Sequence, residues 1–364
     1  MTDYRADQVG SLLRPPELLG ARERHASGQL DDDGLRQAED RAILDALRMQ
    51  RDSGIDVVTD GEFRRGGWMT DMADAVDGFV PQSRMMEWQG PNAGPEPSIS
   101  HVVGARLQPR RRLTGNQAPF LVEHAGGPTK VTVPAPDCFL IMSYAEGVTD
   151  QVYRTRAELL KDVSAIIHDE LAALVADGVS YVQLDTPQYS YYCDEDRRRE
   201  LRETGIDPDR DLELAIAADN EALAGLDRSR VTVGLHICRG NSRSRWVASG
   251  GYEPIADRVF PQLDVDRFLL EYDTDRAGGF EPLRFVPDGK IVVLGLVTTK
   301  QPELENRDFL ARRVEEASKY VPLERLTLSP QCGFASVASG NLLSIDDERR
   351  KLDLVVETAR LVWG

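Results

Sequence analysis

Short runs of β-branched and other apolar residues recur along the chain, and a longer segment with helical spacing of apolar residues follows most of them. Eight such runs predict strands at residues 7–11, 56–60, 130–134, 181–185, 231–236, 267–271, 291–297 and 326–330. The clearest helical patterns cover residues 35–52, 156–177, 212–226 and 308–319. Because parallel strands need crossover connections of this length, the pattern predicts an α/β fold, a (β/α)8 TIM barrel formed by residues 1–364 as a single domain.

This alternation of strands and helices is interrupted over residues 85–127. Proline, glycine and arginine residues cluster there around two candidate strands, residues 100–107 and 120–124. Turn-forming residues between short strands are typical of a hairpin. We therefore expect a β-hairpin insertion in the barrel over this segment.

The composition and net charge disfavour nucleic acid and membrane partners. The 364 residues are 41% hydrophobic and 29% charged, as in a folded globular protein. A net charge of −17 repels phosphates and anionic membrane surfaces, which disfavours nucleic acid and membrane partners and favours small molecules. The sequence has no long apolar run and does not begin with a basic segment followed by an apolar one, so we expect a cytoplasmic protein.

The four cysteines are too few for a disulfide framework in a chain of this length, and cytoplasmic thiols stay reduced. Two of them, Cys238 and Cys332, follow predicted strand ends, whereas we expect no ligand role for Cys138 and Cys193. The thiols are therefore candidates for chemistry at the barrel rim, where barrel enzymes carry their reacting groups.

Four residues at the ends of three predicted strands form a candidate metal site. His236 and Cys238 are two positions apart at the end of the fifth strand, so both side chains face the same side if the strand continues to Cys238. Glu271 ends the sixth strand, and Cys332 follows the eighth. One imidazole, two thiolates and a carboxylate suit tetrahedral Zn²⁺.

Six sequence segments at these strand ends resemble the catalytic barrel of the cobalamin-independent methionine synthases, and especially the short, single-barrel bacterial members of that family. In chain order, these segments are QVGSL, VVTDGEFRR, VQLDTP, HICRGN, LLEYD and LSPQCGF. The resemblance covers nearly the whole chain. It implies that the zinc ligands are His236, Cys238, Glu271 and Cys332.

Such a metal site suits a particular chemistry. A free thiol is only a few per cent thiolate at neutral pH, and a metal ion deprotonates a thiol that binds to it. Two cysteine thiolates and a carboxylate make the site net negative, which favours alkylation of a bound thiolate over hydrolysis. With four protein ligands in place, an incoming thiol has to displace one or expand the coordination shell, and we expect Glu271 to leave.

Three further strand ends indicate the rest of the substrate. Glu62 and Asp185 would project two carboxylates into the same mouth, which suits an ammonium group, and Ser11 adds a hydroxyl. The resemblance implies that Glu62 and Asp185 bind the amino group of homocysteine and that Val9, Gly10 and Ser11 bind its carboxylate. The expected reaction is methyl transfer to homocysteine to give methionine. In the alternative interpretation, Glu62 pairs with Arg64 or Arg65 and Asp185 caps a turn.

Departures from the family pattern concern the methyl donor. Thr186 stands where the family has an acidic residue, and Lys300 lies in the region where the family has a histidine implicated in proton delivery. Lys300 is either a cation or acid in the site or a solvated lysine. The second, N-terminal barrel of the long family members is also absent from this sequence. We therefore expect a methylfolate or another small methyl donor and no requirement for a polyglutamate tail.

Aromatic residues after two strands are candidates for the donor wall. Trp68 follows the second predicted strand, and Tyr189, Tyr191 and Tyr192 follow the fourth. Aromatic faces suit a flat or cationic donor, and packing is the alternative.

Two other functions remain open. One is alkylation of a different thiol, as in relatives that open epoxides with coenzyme M; its sulfonate would need arginines such as Arg14, Arg65 or Arg239. The other is a zinc-binding barrel without catalysis. The sequence does not decide whether the chain forms a homo-oligomer.

Overall fold

The computed structural model describes residues 4–364, so the first three residues of the predicted 1–364 domain lie outside it. The strands are β1 (Val76–Trp88), β2 (Gly94–Pro109), β3 (Lys130–Pro134), β4 (Tyr181–Asp185), β5 (Thr232–Ile237), β6 (Arg267–Glu271), β7 (Ile291–Val297) and β8 (Leu326–Pro330). The α-helices are α1 (Pro16–Ala26), α2 (Asp32–Ser53), α3 (Thr70–Ala75), α4 (Ala118–His124), α5 (Cys138–Met142), α6 (Arg156–Asp177), α7 (Tyr189–Cys193), α8 (Glu195–Glu203), α9 (Pro208–Leu223), α10 (Glu253–Gln262), α11 (Arg307–Ala317) and α12 (Ile345–Trp363).

Strands β3 to β8 form one parallel sheet in chain order. Almost every residue of these strands is buried, as expected when helices cover one face of a sheet and the other face encloses a core. Helices α6, α9, α10 and α11 lie between consecutive strands along the chain. The structure therefore confirms the α/β class and the parallel sheet.

The first two predicted strands, residues 7–11 and 56–60, are not regular strands. One isolated parallel bridge, Ala6 with Leu328, immediately precedes the first segment, and another, Val58 with Thr129, lies within the second. A side chain here bonds a backbone group that would otherwise pair with a neighbouring strand: the Ala6 N–H donates to the Asp56 carboxylate at 2.8 Å. The two segments lie beside the outer strands of the sheet, β8 and β3.

The helix boundaries follow from local capping chemistry. Helix α6 begins after Thr155, whose side chain accepts a hydrogen bond from the Glu158 N–H, and ends at Gly178 in the left-handed conformation. Helix α2 begins after Asp31 and ends before Gly54 in the same way, three residues earlier and one residue later than the sequence predicts. No helix within residues 4–364 is both long and apolar enough to cross a membrane.

The hairpin insertion lies earlier in the chain than predicted. Strands β1 and β2 pair antiparallel over residues 76–109, whereas the prediction was 85–127. The predicted strand at residues 120–124 is wrong, because this segment lies in helix α4. Pro119 occupies the first turn of α4, where its missing N–H costs nothing.

Candidate metal and amino acid site

A cavity with an empty volume of about 1010 Å³ opens where β4, β5 and β8 end. Its wall includes side chains from four parts of the chain: the segment after Ala6, the turn after Val58, the strand ends and the β1–β2 hairpin. The predicted site residues on this wall are Val9, Ser11, Glu62, Trp68, Asp185, His236, Cys238 and Cys332.

Three of the predicted metal ligands come together on this wall. His236 lies on β5, Cys238 follows the last residue of that strand, and Cys332 lies two residues beyond the end of β8. The imidazole nitrogen and the two sulfur atoms lie within 4.8 Å of one another, and all three residues are buried. We call these three residues the metal wall.

The bonding of the metal wall fits a metal ion. The Nδ1 atom of His236 lies 3.2 Å from the Leu269 carbonyl oxygen, so Nδ1 carries the hydrogen and Nε2 has a free lone pair. That Nε2 atom is buried without a hydrogen-bond partner within residues 4–364. A hydrogen bond to Cys238 and burial raise the pKa of the Cys332 thiol well above its usual range, an effect that a bound cation would reverse. One nitrogen and two sulfurs suit zinc.

The fourth predicted ligand, Glu271, does not join this group. One of its carboxylate oxygens accepts hydrogen bonds from the Arg239 N–H at 2.9 Å and from the Gln331 amide at 3.0 Å. The other forms an ion pair with Arg276 at 2.8 Å. A role for Glu271 as a zinc ligand would therefore require these bonds to rearrange, and it stays a prediction.

Glu62 faces the cavity with one carboxylate oxygen unoccupied. Its backbone has a φ of 59°, a left-handed conformation that is strained for a residue other than glycine. The Thr132 hydroxyl donates to Oε1 at 2.9 Å, while Oε2 is buried without a partner within the described chain. Burial raises the pKa of Glu62 to about 7, and Asp185 contributes to this shift. The free oxygen is suited to accept a hydrogen bond from a cation.

Asp185 is the last residue of β4 and lies beside His236, its partner on β5. Its Oδ1 atom accepts a hydrogen bond from the Gln183 amide at 2.8 Å, and burial raises the pKa of this carboxyl. We call Glu62 and Asp185 the carboxylate wall.

Neither Arg64 nor Arg65, the two alternative ion-pair partners of Glu62, forms a salt bridge with its carboxylate. Arg64 pairs with Asp40, and Arg65 pairs with Asp71 at 2.7 Å. Glu62 lines the cavity and accepts a hydrogen bond from Thr132, and its Oε2 atom has no hydrogen-bond partner within residues 4–364.

The segment from Val9 to Ser11 lies next to Glu62. Val9 and Ser11 line the cavity, and the Ser11 hydroxyl accepts a hydrogen bond from the Ala335 N–H at 3.3 Å. Gly10 has a φ of 151°, and a Cβ atom there would lie 2.7 Å from Thr132 Cγ2. Glycine therefore allows the close approach of this segment to β3.

The aromatic wall differs from the predicted one. Trp68 and Tyr191 line the cavity, but Tyr189 is fully buried elsewhere, where its hydroxyl donates to Asp219 at 2.9 Å. The hairpin supplies Met86 and Trp88, which the sequence analysis missed. Partly buried and exposed residues alternate along most of β1, as in an ordinary surface hairpin, and this pattern does not distinguish Met86 and Trp88 as cavity residues.

Lys300 is buried rather than solvated, and its side chain is not part of the cavity wall. Its ammonium group donates to the Gly240 carbonyl at 3.0 Å, the Asn241 side chain at 3.1 Å and the Arg245 carbonyl at 3.3 Å. These bonds hold the loop after β5, which carries Cys238. The predicted role of Lys300 as a cation or acid in the site stays a prediction.

Comparison with known proteins identifies one family across nearly the whole chain. Residues 6–360 match the profile of the family described as cobalamin-independent synthase, catalytic domain. Two Bacillus subtilis proteins, YxjH and YxjG, are 38% and 39% identical to the chain, with 99% of this chain and 95% of each relative covered. The methionine synthase of Pyrococcus abyssi is 24% identical over 97% of this chain and 91% of its own length.

Solved structures agree with this result. A protein from Listeria monocytogenes, designated a candidate vitamin-B12-independent methionine synthase, has a TM-score of 0.76 at 29% identity, with 100% of this chain and 99% of that chain covered. A B12-independent methionine synthase from a Shewanella species, solved in complex with selenomethionine, has a TM-score of 0.75 at 20% identity, with 99% and 98% covered. The second similarity shows the fold alone.

Proposed function

Because the chain belongs to the family of cobalamin-independent synthase catalytic domains, we propose that it is a zinc-dependent methyltransferase that converts homocysteine to methionine. One observation carries this proposal: the metal wall and the carboxylate wall line the same cavity. Three soft or borderline ligands suit a thiolate-binding metal, and two carboxylates suit an ammonium group. Homocysteine carries both a thiol and an ammonium group.

In this proposal each part of the substrate has its own surroundings. The ammonium group lies between Glu62 and Asp185, and the carboxylate lies against the Val9–Ser11 segment, where Ser11 offers a hydroxyl. The thiol then extends toward His236 and the two cysteines. The Shewanella relative was solved in complex with selenomethionine, an amino acid of the same type as the proposed product, which supports an amino acid as the ligand.

The transfer itself needs a thiolate close to a methyl donor. Zinc bound by His236, Cys238 and Cys332 would stabilise the substrate sulfur as the thiolate, its nucleophilic form. The sulfur attacks the methyl carbon of the donor, the new S–C bond forms, and the old bond from the methyl carbon to the donor breaks with its electron pair staying on the donor. The aromatic and thioether side chains of Trp68, Trp88 and Met86 would exclude water and contact the donor.

Alkylation of a sulfonate thiol is less well supported. Within residues 4–364, no lysine or arginine lines this cavity. Arg14 donates to the Glu62, Arg65 and Ala335 carbonyl oxygens, and Arg239 is buried with its guanidinium 4.0 Å from the centre of the Tyr252 ring. Arg65 pairs with Asp71. A sulfonate would therefore meet two carboxylates and no counter-ion.

We also propose that the two segments beside the sheet complete an eight-stranded barrel that acts as one catalytic domain. The bridges Ala6–Leu328 and Val58–Thr129, and the hydrogen bond from the Asp56 N–H to the Ala6 carbonyl at 3.0 Å, support this closure. A crystal structure with an open edge between the segments would contradict it.

Glu271 is proposed as the fourth zinc ligand, the one that an incoming thiol replaces. The test is chelator competition on the Glu271→Gln variant, with the zinc affinity of the unchanged protein as reference. An unchanged affinity would remove Glu271 from the ligand set.

The decisive experiment is turnover by the zinc-loaded protein. Homocysteine would be incubated with monoglutamyl methyltetrahydrofolate or with a small methyl-sulfur compound, and methionine would be quantified. Methionine formation that is lost after chelation and restored by zinc supports the proposal. A zinc-loaded protein that binds homocysteine but transfers no methyl group from either donor would favour the non-catalytic alternative.

A further inference from the structure

Two buried cations lie behind the carboxylate wall, each one neutral side chain away from a wall carboxylate. Lys130 and Thr132 are on β3, and Gln183 and Asp185 are on β4, with Thr132 directly opposite Gln183. All four residues are at most 8% exposed. In these apolar strands the four polar residues occupy alternate positions, so they share the interior face of the sheet.

The first connection runs from Lys130 through Gln183 to Asp185. The Lys130 ammonium group donates to the Asp7 carboxylate, to the Gln8 carbonyl oxygen and, at 3.0 Å, to Gln183 Oε1. An ammonium group can only donate, so the oxygen of the Gln183 amide has to face Lys130. The amide nitrogen therefore faces the other way and donates to Asp185 Oδ1 and to the Val9 carbonyl oxygen, both at 2.8 Å.

The second connection runs from Arg65 through Thr132 to Glu62. The Arg65 guanidinium donates to the Thr132 hydroxyl oxygen at 3.0 Å and to the Thr132 carbonyl at 2.8 Å. Because a guanidinium group also can only donate, the hydroxyl hydrogen of Thr132 is left for Glu62 Oε1, at 2.9 Å. Arg65 is itself held by Asp71 and Gln117.

The two connections share one logic. In each, a buried cation determines which way a neutral side chain donates, and that donor holds one oxygen of a wall carboxylate. Glu62 lines the cavity, and its second oxygen is then buried without a partner among residues 4–364. Gln183 additionally holds the Val9 carbonyl, so a single amide connects the proposed ammonium and carboxylate ends of the substrate site.

We propose that Thr132 and Gln183, oriented by Arg65 and Lys130, are positioning residues that set the selectivity of this site for a thiol carrying an ammonium group. This inference rests on the proposed function, because it assumes that the carboxylate wall binds an amine. The positioning residues themselves do not lie on the cavity wall, and they act through Glu62 and Asp185.

The test compares two thiols that differ only in the amino group, homocysteine and 4-mercaptobutanoate. Dissociation constants would be measured on the zinc-loaded protein and on the Thr132→Val and Gln183→Met variants, which keep side-chain size and remove the donors. Each variant should bind homocysteine about three- to tenfold more weakly, the effect of one lost buried hydrogen bond. Binding of 4-mercaptobutanoate and the zinc content should change by less than about twofold.

Thr149→Val is the matched control, since it removes a buried hydroxyl that bonds Ala145 and Val103 away from the cavity wall. Its homocysteine-to-mercaptobutanoate ratio should equal that of the unchanged protein. Adding Lys130→Met to Gln183→Met should cost less selectivity than Lys130→Met costs in the otherwise unchanged protein, because the amide connection is already lost and only the direct charge interaction of Lys130 with Asp185 remains.

The outcomes separate this inference from the proposed function. An unchanged protein that does not prefer homocysteine over 4-mercaptobutanoate contradicts the amine site itself. A clear preference that survives in Thr132→Val and Gln183→Met overturns the positioning role alone. Equal losses for both thiols would show a general structural effect and also overturn it. Melting temperatures and zinc content identify any variant that fails to fold, and the remaining variant then decides.

Discussion

The metal wall and the carboxylate wall line the same cavity but are constructed differently. His236 lies on β5 and Cys238 directly follows that strand, and the Nε2 atom of His236 has no hydrogen-bond partner within the described chain. The carboxylate wall joins a strained turn to the end of β4, and each carboxylate is held by a donor from a different residue. The metal wall combines a two-residue spacing at the end of β5 with one cysteine from the loop after β8, whereas the carboxylate wall depends on donors from β3 and β4 that orient its two carboxylates.

This difference has a functional consequence. A metal ion organises its own ligands once they are close together, so the metal wall needs little support from surrounding hydrogen bonds beyond the Nδ1 contact of His236. A carboxylate that binds an ammonium group has no such organiser and has to be oriented in advance. Changes to the metal wall should therefore abolish zinc binding, whereas changes to the carboxylate wall should weaken homocysteine binding without abolishing it.

The largest expected effect is loss of zinc from the metal wall. Cys238→Ser and Cys332→Ser should each lower the zinc content from about one ion per chain to almost none, because a neutral hydroxyl replaces a soft anionic ligand. Elemental analysis after dialysis measures this. Cys193→Ser, a buried thiol outside the metal wall, is the control and should keep its zinc. Full zinc content in Cys332→Ser would mean that this residue is not a ligand.

The next effect separates the two walls. Glu62→Gln and Asp185→Asn should each weaken homocysteine binding by roughly 1.5 to 3 kcal/mol, since each removes a charge-assisted hydrogen bond to an ammonium group. Zinc content should not change. Calorimetry with homocysteine and 4-mercaptobutanoate measures this, and equal losses for the two thiols would indicate that the carboxylates are structural.

The pH dependence of binding sharpens the comparison further. The pKa of Glu62 is about 7 without substrate, and only its ionised form attracts an ammonium group. Affinity for homocysteine relative to 4-mercaptobutanoate should therefore be close to its maximum at pH 8 and fall about tenfold between pH 8 and pH 6. The ratio cancels the titration of the thiol and the metal wall. A ratio that stays constant in this range, or one that falls equally in Glu62→Gln, would contradict the assignment.

The smallest expected effect concerns the donor. No lysine or arginine within residues 4–364 lines the cavity, so a polyglutamate tail would find no cations on this wall. Triglutamyl and monoglutamyl methyltetrahydrofolate should compete within about tenfold of each other, which is ~1.4 kcal/mol. A larger preference for the triglutamate would contradict this prediction and favour the family's usual polyglutamyl donor.

For the carboxylate wall, the sequence predicted the two carboxylates but not the residues that orient them. Glu62 and Asp185 were identified because two carboxylates at predicted strand ends suit an ammonium group and match a family motif. Their supporting residues were missed, although Lys130, Thr132 and Gln183 occupy alternate positions of apolar strands, a pattern that indicates polar side chains on the interior face. Tyr189, Tyr191 and Tyr192 were all candidates for the cavity from their position after β4, but of the three Tyr191 alone lines it, because α7 turns the side chains in different directions.

The sequence by itself determined the parallel α/β arrangement, the order of strands β3 to β8, and the family, because strand periodicity and strand-end motifs are local properties of the chain. It also identified three residues of the metal wall, since a spacing of two on one strand places His236 and Cys238 on the same side. Only the tertiary structure decided that the first two predicted strands are not regular strands, that Arg276 holds Glu271, and that buried cations orient the carboxylate wall. These features depend on contacts between residues far apart in the chain, and no local pattern encodes which partner a buried polar group will find.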